Sequence, residues 1–291
     1  MHPAPTTPPP VALTIAGSDP SGGAGIQADL KTFSALGAYG TSVLTALTAQ
    51  ATTGVTGVHE IPVDFVRAQL DTLLADVRID TVKIGMLGSA ALAHAVGTYL
   101  TGPLADTVRV LDPVMVATSG SRLLAEDAVD AVRMLLPHAD VITPNLPEAA
   151  VLTGHPQATD LDGMRIQARL LRDGYGARRI LLKGGHLTGS EEALDLWLDG
   201  DHEEVYRAPR VHTGNTHGTG CTLSSALAAL YPRHTGWPAT VAAAKTWLTG
   251  ALLRADELRV GSGSGPVHHF HEDTHRWRPA RTTGTDTPTS S

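Results

Sequence analysis

The sequence is poor in cysteine and in positive charge. A single cysteine, Cys221, in 291 residues excludes an intrachain disulfide framework and a zinc site built from clustered cysteines. Twenty-two Lys and Arg against 29 Asp and Glu leave a net charge of −7. The basic residues are scattered, which argues against a nucleic-acid footprint. No apolar run is long enough to cross a bilayer. The opening stretch, MHPAPTTPPP, has no Lys or Arg ahead of its prolines, so it does not read as a signal or transit peptide. The expectation is a cytoplasmic protein that handles a small molecule, with neither nucleic acid nor membrane as partner.

With 42% hydrophobic and 18% charged residues, the chain has the composition of an ordinary globular protein long enough for a full core. Residues 1–10 are Pro-rich and 278–291 are Thr- and Ser-rich, so both read as loose tails around one domain at 11–277. Inside it, short apolar runs at 11–17, 42–49, 81–87, 108–115, 140–145 and 178–185 read as strands. Helical periodicity covers 63–77, 90–100, 126–136, 146–153, 161–173, 221–230 and 238–257, and Ile26, Leu30 and Phe33 suggest one more helix. Residues 193–211 read as a hairpin turning at Asp199-Gly200. Strands alternating with helices predict an α/β domain with a mostly parallel sheet covered on both faces. Ligands of such sheets sit beyond the carboxyl ends of the strands. The polar residues that fall there are Ser18-Asp19, Gln50, Asp112, Asn145 with Glu148, Lys183 and the 215–221 loop, along with Met86.

That loop, NTHGTGC, sets two glycines before the lone cysteine and an apolar helix. N–H groups at a helix start attract anions, and glycines let backbone approach a phosphate closely. The spacing is neither a Walker loop nor a dinucleotide fingerprint. Taken alone, the loop reads better as a glycine-rich helix cap with Cys221 as a small buried side chain.

Other stretches are collinear with it: TIAGSDPSGGAGIQADLKTFSALGAYGTSVLTALTAQ (14–50), KIGML (83–87), LDPVM (111–115), ITPNLPEA (142–149), LLKGGHL (181–187) and GPVHHFH (265–271). Together they resemble the hydroxymethylpyrimidine and phosphomethylpyrimidine kinases of the ribokinase-like superfamily, over about residues 11–272. The resemblance implies a single-domain, three-layer αβα ribokinase-like fold, with ATP and Mg²⁺ as cofactors. It also implies a homodimer and two successive phosphorylations of 4-amino-5-hydroxymethyl-2-methylpyrimidine toward thiamine synthesis. It leaves open whether K⁺ assists.

Carried over residue by residue, the resemblance makes Gly218, Thr219, Gly220 and Cys221 an anion hole for the phosphoryl group in transfer. Cys221 becomes the base or proton acceptor, and its place at a helix start favours the thiolate. The alternatives are a passive thiol, with phosphate and metal taking the proton, and a phosphocysteine. Gln50 would read the aminopyrimidine edge, since its amide both donates and accepts. Gly17, Ala24, Asp29 and Met86 would complete the substrate pocket, although Asp29 equally suits a solvated helix face. Asp112 and Glu148 would hold Mg²⁺ through water. Lys183, Thr213 and Asn145 would meet ATP. His217 either orients the loop or makes a local hydrogen bond. The VHHFHEDTH run (267–275) has zinc-type ligands but reads better as a structural C-terminal segment.

Ala51 departs from the family's usual Asn after the glutamine, and Gly214 from a common Lys. The nearest rival is a pyridoxal or pyridoxine kinase of the same superfamily. Sugar kinases usually keep Asp where Cys221 stands. A ligand sensor without turnover, or a cysteine hydrolase using His217 or His186, are rivals of other classes.

Overall fold

The computed structural model describes residues 8–115, 128–185, 187 and 191–273. Most of both terminal segments read as tails, together with His186 and His275, falls outside them. Among the described residues, eight strands form one sheet in the order β10-β9-β8-β7-β6-β5-β1-β2. Six of them run parallel: β2 (Tyr39–Leu44), β1 (Val11–Ala16), β5 (Thr81–Ile84), β6 (Val108–Leu111), β7 (Val141–Ile142) and β8 (Arg179–Lys183). The hairpin β9 (Glu192–Asp199) and β10 (His202–Pro209) adds an antiparallel edge, turning at the expected Asp199-Gly200 pair. Gly200 takes φ 58°, a left-handed conformation that glycine adopts without steric cost.

The period-two alternation of the strands sorts the helices into layers. Leu13, Ile15, Val82, Ile84, Ile180 and Leu182 face one side. There they pack against α2 (Val63–Leu74), α3 (Ala90–Leu100), α4 (Ala128–Arg133), α5 (Leu146–Thr153) and α6 (Leu161–Tyr175). Ala12, Val110, Val141, Leu181 and Trp197 face the other. That side is covered by α1 (Gly25–Ala35), α7 (Thr219–Leu230) and α8 (Trp237–Leu253). Each fully buried Leu, Ile or Phe contributes about 1.5–3 kcal/mol over leaving it in water. The result is the expected three-layer αβα arrangement.

Several boundaries differ: α2 ends at Leu74 rather than 77, and β5, β6 and β7 stop at Ile84, Leu111 and Ile142 rather than 87, 115 and 145. The strand expected at 42–49 is two: β2 ends at Leu44, and β3 (Ala46–Ala51) pairs antiparallel with β4 (Gly54–Glu60) in a separate two-stranded sheet. The break falls at buried Thr45, whose amide donates to Ala16 O and whose hydroxyl donates to Met86 O. Helix α4 ends at Arg133 rather than 136, as the chain tightens into a 3₁₀ turn at Leu136–His138 carrying Pro137. Helix α8 ends at Leu253, with a 3₁₀ turn at Ala255–Glu257 beyond it.

Candidate active site

A cavity of about 640 Å³ opens at the carboxyl ends of β1, β5, β6, β7 and β8. It gathers Gly17, Ala24, Gln50, Met86, Asp112, Asn145, Glu148, Lys183, Gly218, Thr219, Gly220 and Cys221. Two residues selected from the sequence do not line it. Asp29 is wholly buried behind it. Thr213 turns to the surface, where its hydroxyl donates to Asp256 Oδ1 at 2.6 Å.

Helix α7 begins immediately after Gly218, whose φ of 75° puts it in the left-handed region. A Cβ there would collide with the carbonyl oxygen of Gly23, so the 17–25 and 214–221 loops lie in direct backbone contact. The first-turn amides of α7 have no helix carbonyl ahead of them. The Thr219 N–H turns back to Thr216 O at 3.2 Å, and the turn as a whole lines the cavity. Cys221 sits where this helix start meets that of α1, and the Gly25 backbone N–H donates to its sulfur. The helix-start argument predicted a thiolate. Burial instead pushes the thiol up to about 11, with the carboxylates of Asp29 and Asp112 adding to the rise and the Lys83 ammonium opposing it. The resting cysteine is therefore a thiol at neutral pH.

Against the same turn, 3.0 Å from where a Cβ on Gly220 would lie, Lys183 Nζ donates to Asp112 Oδ1 at 2.8 Å and lies 3.9 Å from Glu148 Oε2. Asp112 also accepts from Thr143 Oγ1 at 3.0 Å and Ser224 Oγ at 3.2 Å. Burial works against its ionisation, but the ammonium groups of Lys183 and Lys83 outweigh it and hold the carboxyl below its ordinary range. Asn145 and Glu148 form a capping box on α5, each side chain accepting from the other's backbone N–H at 2.8 Å. Burial, reinforced by the Asp112 charge, pushes Glu148 up to about 7 despite Lys183 and the N–H groups of Asn145 and Met115. Two carboxylates and one ammonium thus share one largely buried corner of the cavity, and the arrangement can neutralise added negative charge or hold a cation.

Sequence reasoning missed the buried ions around the cavity. Lys83 Nζ donates to both oxygens of Asp29 at 2.9 Å, and Asp29 also accepts from Thr14 Oγ1 at 2.6 Å and Ser225 Oγ at 2.7 Å. Lys245 donates to Asp195 Oδ2 at 2.5 Å on the cavity wall between α8 and β9. The available signal was placement: each lysine interrupts an otherwise apolar strand or helix. His217 makes no local bond. Its Nε2 lies 2.7 Å from Asp19 Oδ2 and 3.3 Å from Gln50 Nε2. Burial opposes ionisation of Asp19, yet hydrogen bonds from His217, Ser21 and Ala24 hold it down at about 2. Asp19 therefore clamps residues 21–24 and the glycine loop together.

His269 and His271 are structural. His269 Nε2 lies 3.1 Å from Thr222 Oγ1, and the His271 ring lies against Trp247 with centroids 5.5 Å apart. Among the described residues no group of His, Cys, Asp and Glu is arranged to hold a metal ion by itself.

The family model described as phosphomethylpyrimidine kinase matches residues 19–268. Over 262 residues the chain is 58% identical to the hydroxymethylpyrimidine/phosphomethylpyrimidine kinase of Escherichia coli strain K12, covering 89% of this chain and 97% of that one. Among solved structures, the ADP complex of Bacillus subtilis pyridoxal kinase is 34% identical, with a TM-score of 0.83 and coverage of 91% and 99%. The phosphomethylpyrimidine kinase of Clostridium difficile 630 is 38% identical, with a TM-score of 0.73 and coverage of 84% and 99%.

Proposed function

The chain belongs to the phosphomethylpyrimidine kinase family, and on that premise we propose that it phosphorylates 4-amino-5-hydroxymethyl-2-methylpyrimidine with ATP, and then its monophosphate. The observation that carries the reading is one cavity holding Gln50 and Cys221 beside a glycine-started helix, with Lys183 and Asp112 against that helix start and Glu148 next to Lys183. The hydroxymethyl oxygen forms the new bond to the terminal phosphorus of ATP as the bond to the bridging oxygen breaks and ADP departs. Such transfers need positioning and charge neutralisation more than covalent help. The first-turn amides at 218–221 suit the equatorial oxygens of the moving phosphoryl group, and Lys183 adds a point charge. Because Cys221 rests as a thiol, its role is the passive one: it borders the alcohol, and the proton leaves late, to a phosphoryl oxygen.

The donor set fits Mg²⁺. Glu148, crowded by burial and by Asp112, would be relieved of its strain by a divalent cation. Asp112 and Glu148 would hold the ion, chiefly through water, and it would neutralise phosphate charge. The apolar stretch of wall at Val211, Leu223, Leu248 and Leu252 suits the flat ring of a nucleobase. The chain's site works on a small molecule, and a homodimer in the cytoplasm is part of this proposal.

A second reading, a pyridoxal kinase, rests on the 0.83 TM-score to the Bacillus subtilis protein; the higher sequence identity favours the first. Mass spectrometry of products from ATP, Mg²⁺ and an equimolar mixture of hydroxymethylpyrimidine and pyridoxine tests it. Pyrimidine mono- and diphosphate should dominate; pyridoxine phosphate alone would establish the rival.

A further inference from the structure

Lys245 has no part in the transfer outlined above. It stands on α8, is only 8% exposed and lines the cavity. Its ammonium has three hydrogens to give. Among the described residues only Asp195 takes one, at Oδ2 and 2.5 Å. Asp195 is 7% exposed, and its Oδ1 accepts from the Gly184 N–H at 3.1 Å. The carboxylate thus holds the ammonium in place and leaves it two N–H groups. A nearly buried ammonium needs acceptors for them, and a ligand in this cavity can supply them.

The neighbours of Lys245 say which ligand atoms reach it. Asp195 stands directly opposite Lys183 across β9 and β8, and directly opposite residues project to the same face of a sheet. That face is the one Leu181 and Trp197 share, under α7 and α8. Lys183 meets the start of α7. The Asp195 that holds Lys245 lies one strand further along, strands being about 4.8 Å apart. Beyond Lys245 on α8, Leu248, Thr249 and Leu252 follow at helical spacing and line the same cavity. Lys245 and Leu252 are about 10 Å apart along the helix. A nucleotide with its terminal phosphate at the α7 start and its base against Leu248 and Leu252 therefore passes its first phosphate by Lys245.

We infer that Lys245, set by Asp195, is a nucleotide-binding residue that donates to the α-phosphate of ATP, the phosphate that stays joined to the ribose. Lys183 neutralises the end of the chain that is transferred, and Lys245 anchors the end that departs with ADP. The ion pair as a whole is neutral, but its unplaced hydrogens belong to the lysine, and both carboxylate oxygens are already bonded within the protein. It therefore offers donors to an anion. The inference rests on the ATP-dependent reading above for the identity of the ligand, but its test does not depend on turnover.

The test is calorimetric binding of ADP, AMP and adenosine in magnesium-free buffer, with thermal unfolding of each protein as a check on folding. The double variant Lys245→Met/Asp195→Asn removes both charges, so no lone ion stays behind, and the asparagine oxygen can still accept from Gly184. It should bind ADP and AMP about ten- to a hundredfold more weakly than the wild type, the worth of a hydrogen bond from a charged group. Adenosine, which has no phosphate, should bind both proteins equally. Lys245→Gln, which can still bond Asp195, serves the same comparison if the double variant fails to fold. Unchanged affinity for ADP and AMP, an equal loss for adenosine, a loss confined to ADP, or a wild type that binds AMP no tighter than adenosine would overturn the proposal. A protein that shows the expected pattern but phosphorylates no hydroxymethylpyrimidine upholds the role of Lys245 and removes only the kinase reading. A wild type that makes pyrimidine phosphate, beside a double variant that binds ADP unchanged, removes only the role of Lys245.

Discussion

Lys83 and Asp29 form an ion pair with no exposed surface on either side chain, the ammonium reaching both carboxylate oxygens at 2.9 Å. It bridges β5 and α1, with Lys83 lining the cavity that holds Cys221 and Asp29 behind it. Thr14 and Ser225 complete the bonding of Asp29, so β1, β5, α1 and α7 are tied at one point.

Removing one partner of such a pair leaves the other buried and uncompensated. Asp29→Ala should therefore destabilise the fold by about 3–5 kcal/mol, seen as a lower urea midpoint with an unchanged slope. The double variant Asp29→Leu/Lys83→Met, which leaves no charge behind, should recover most of that loss. A single variant as stable as the wild type would show that the pair does not organise this part of the core.

The thiol of Cys221, pushed up to about 11 by burial, makes two rates diverge. Alkylation by iodoacetamide should be slow at pH 7 and rise through pH 10, because only the thiolate reacts. Turnover at saturating substrates should stay flat between pH 7 and 9.5. A kcat that climbs about tenfold per pH unit there would make the thiolate the working base.

Glu148 carries a pH signature of stability. Its folded value of about 7 lies above the ordinary 4.5, so the folded chain keeps a proton that the unfolded chain has already lost. The contribution of this group therefore falls as pH rises from about 4.5 to 7 and is not lost on acidification. Glu148→Gln removes the fall. Its stability relative to wild type should grow by up to about 1.4 kcal/mol per pH unit across that window, then level off. Parallel stability curves for the two proteins would refute the assignment.

Gly218 and Gly23 meet backbone to backbone, and Gly218 also has φ 75°. Gly218→Ala strains the left-handed residue by about 1–2 kcal/mol and forces the two loops apart. A loss of kcat/KM beyond tenfold is expected, with a lower unfolding temperature. Gly214→Ala, which meets nothing within 4 Å, is the control and should behave as wild type.

The layers were legible because they follow from local rules, and the cavity residues selected were legible partly from their place after strand ends and partly from the family resemblance. Alternating apolar strands and amphipathic helices dictate the sheet and its covers, and residues after strand ends converge by topology. What escaped depended on partners distant in sequence. The split at Thr45 is invisible locally, because threonine suits a strand and its break is made by Met86 O. Asp29 suited a substrate pocket and a solvated helix face equally, yet it is buried, with its partner 54 positions away in β5. His217 reaches Asp19 across 198 positions. Thr213 follows the hairpin toward the glycine loop, but its hydroxyl is captured by Asp256. The thiolate expectation weighed the helix start and left out burial, which prevails.

The central claim is that amides at the start of α7 receive a phosphoryl group on its way to a small aromatic alcohol. A crystal structure with a non-hydrolysable ATP analogue and hydroxymethylpyrimidine tests it most directly. The account predicts the terminal phosphate against the backbone of residues 218–221, with the hydroxymethyl oxygen between it and Cys221. A terminal phosphate seated away from that turn would contradict it.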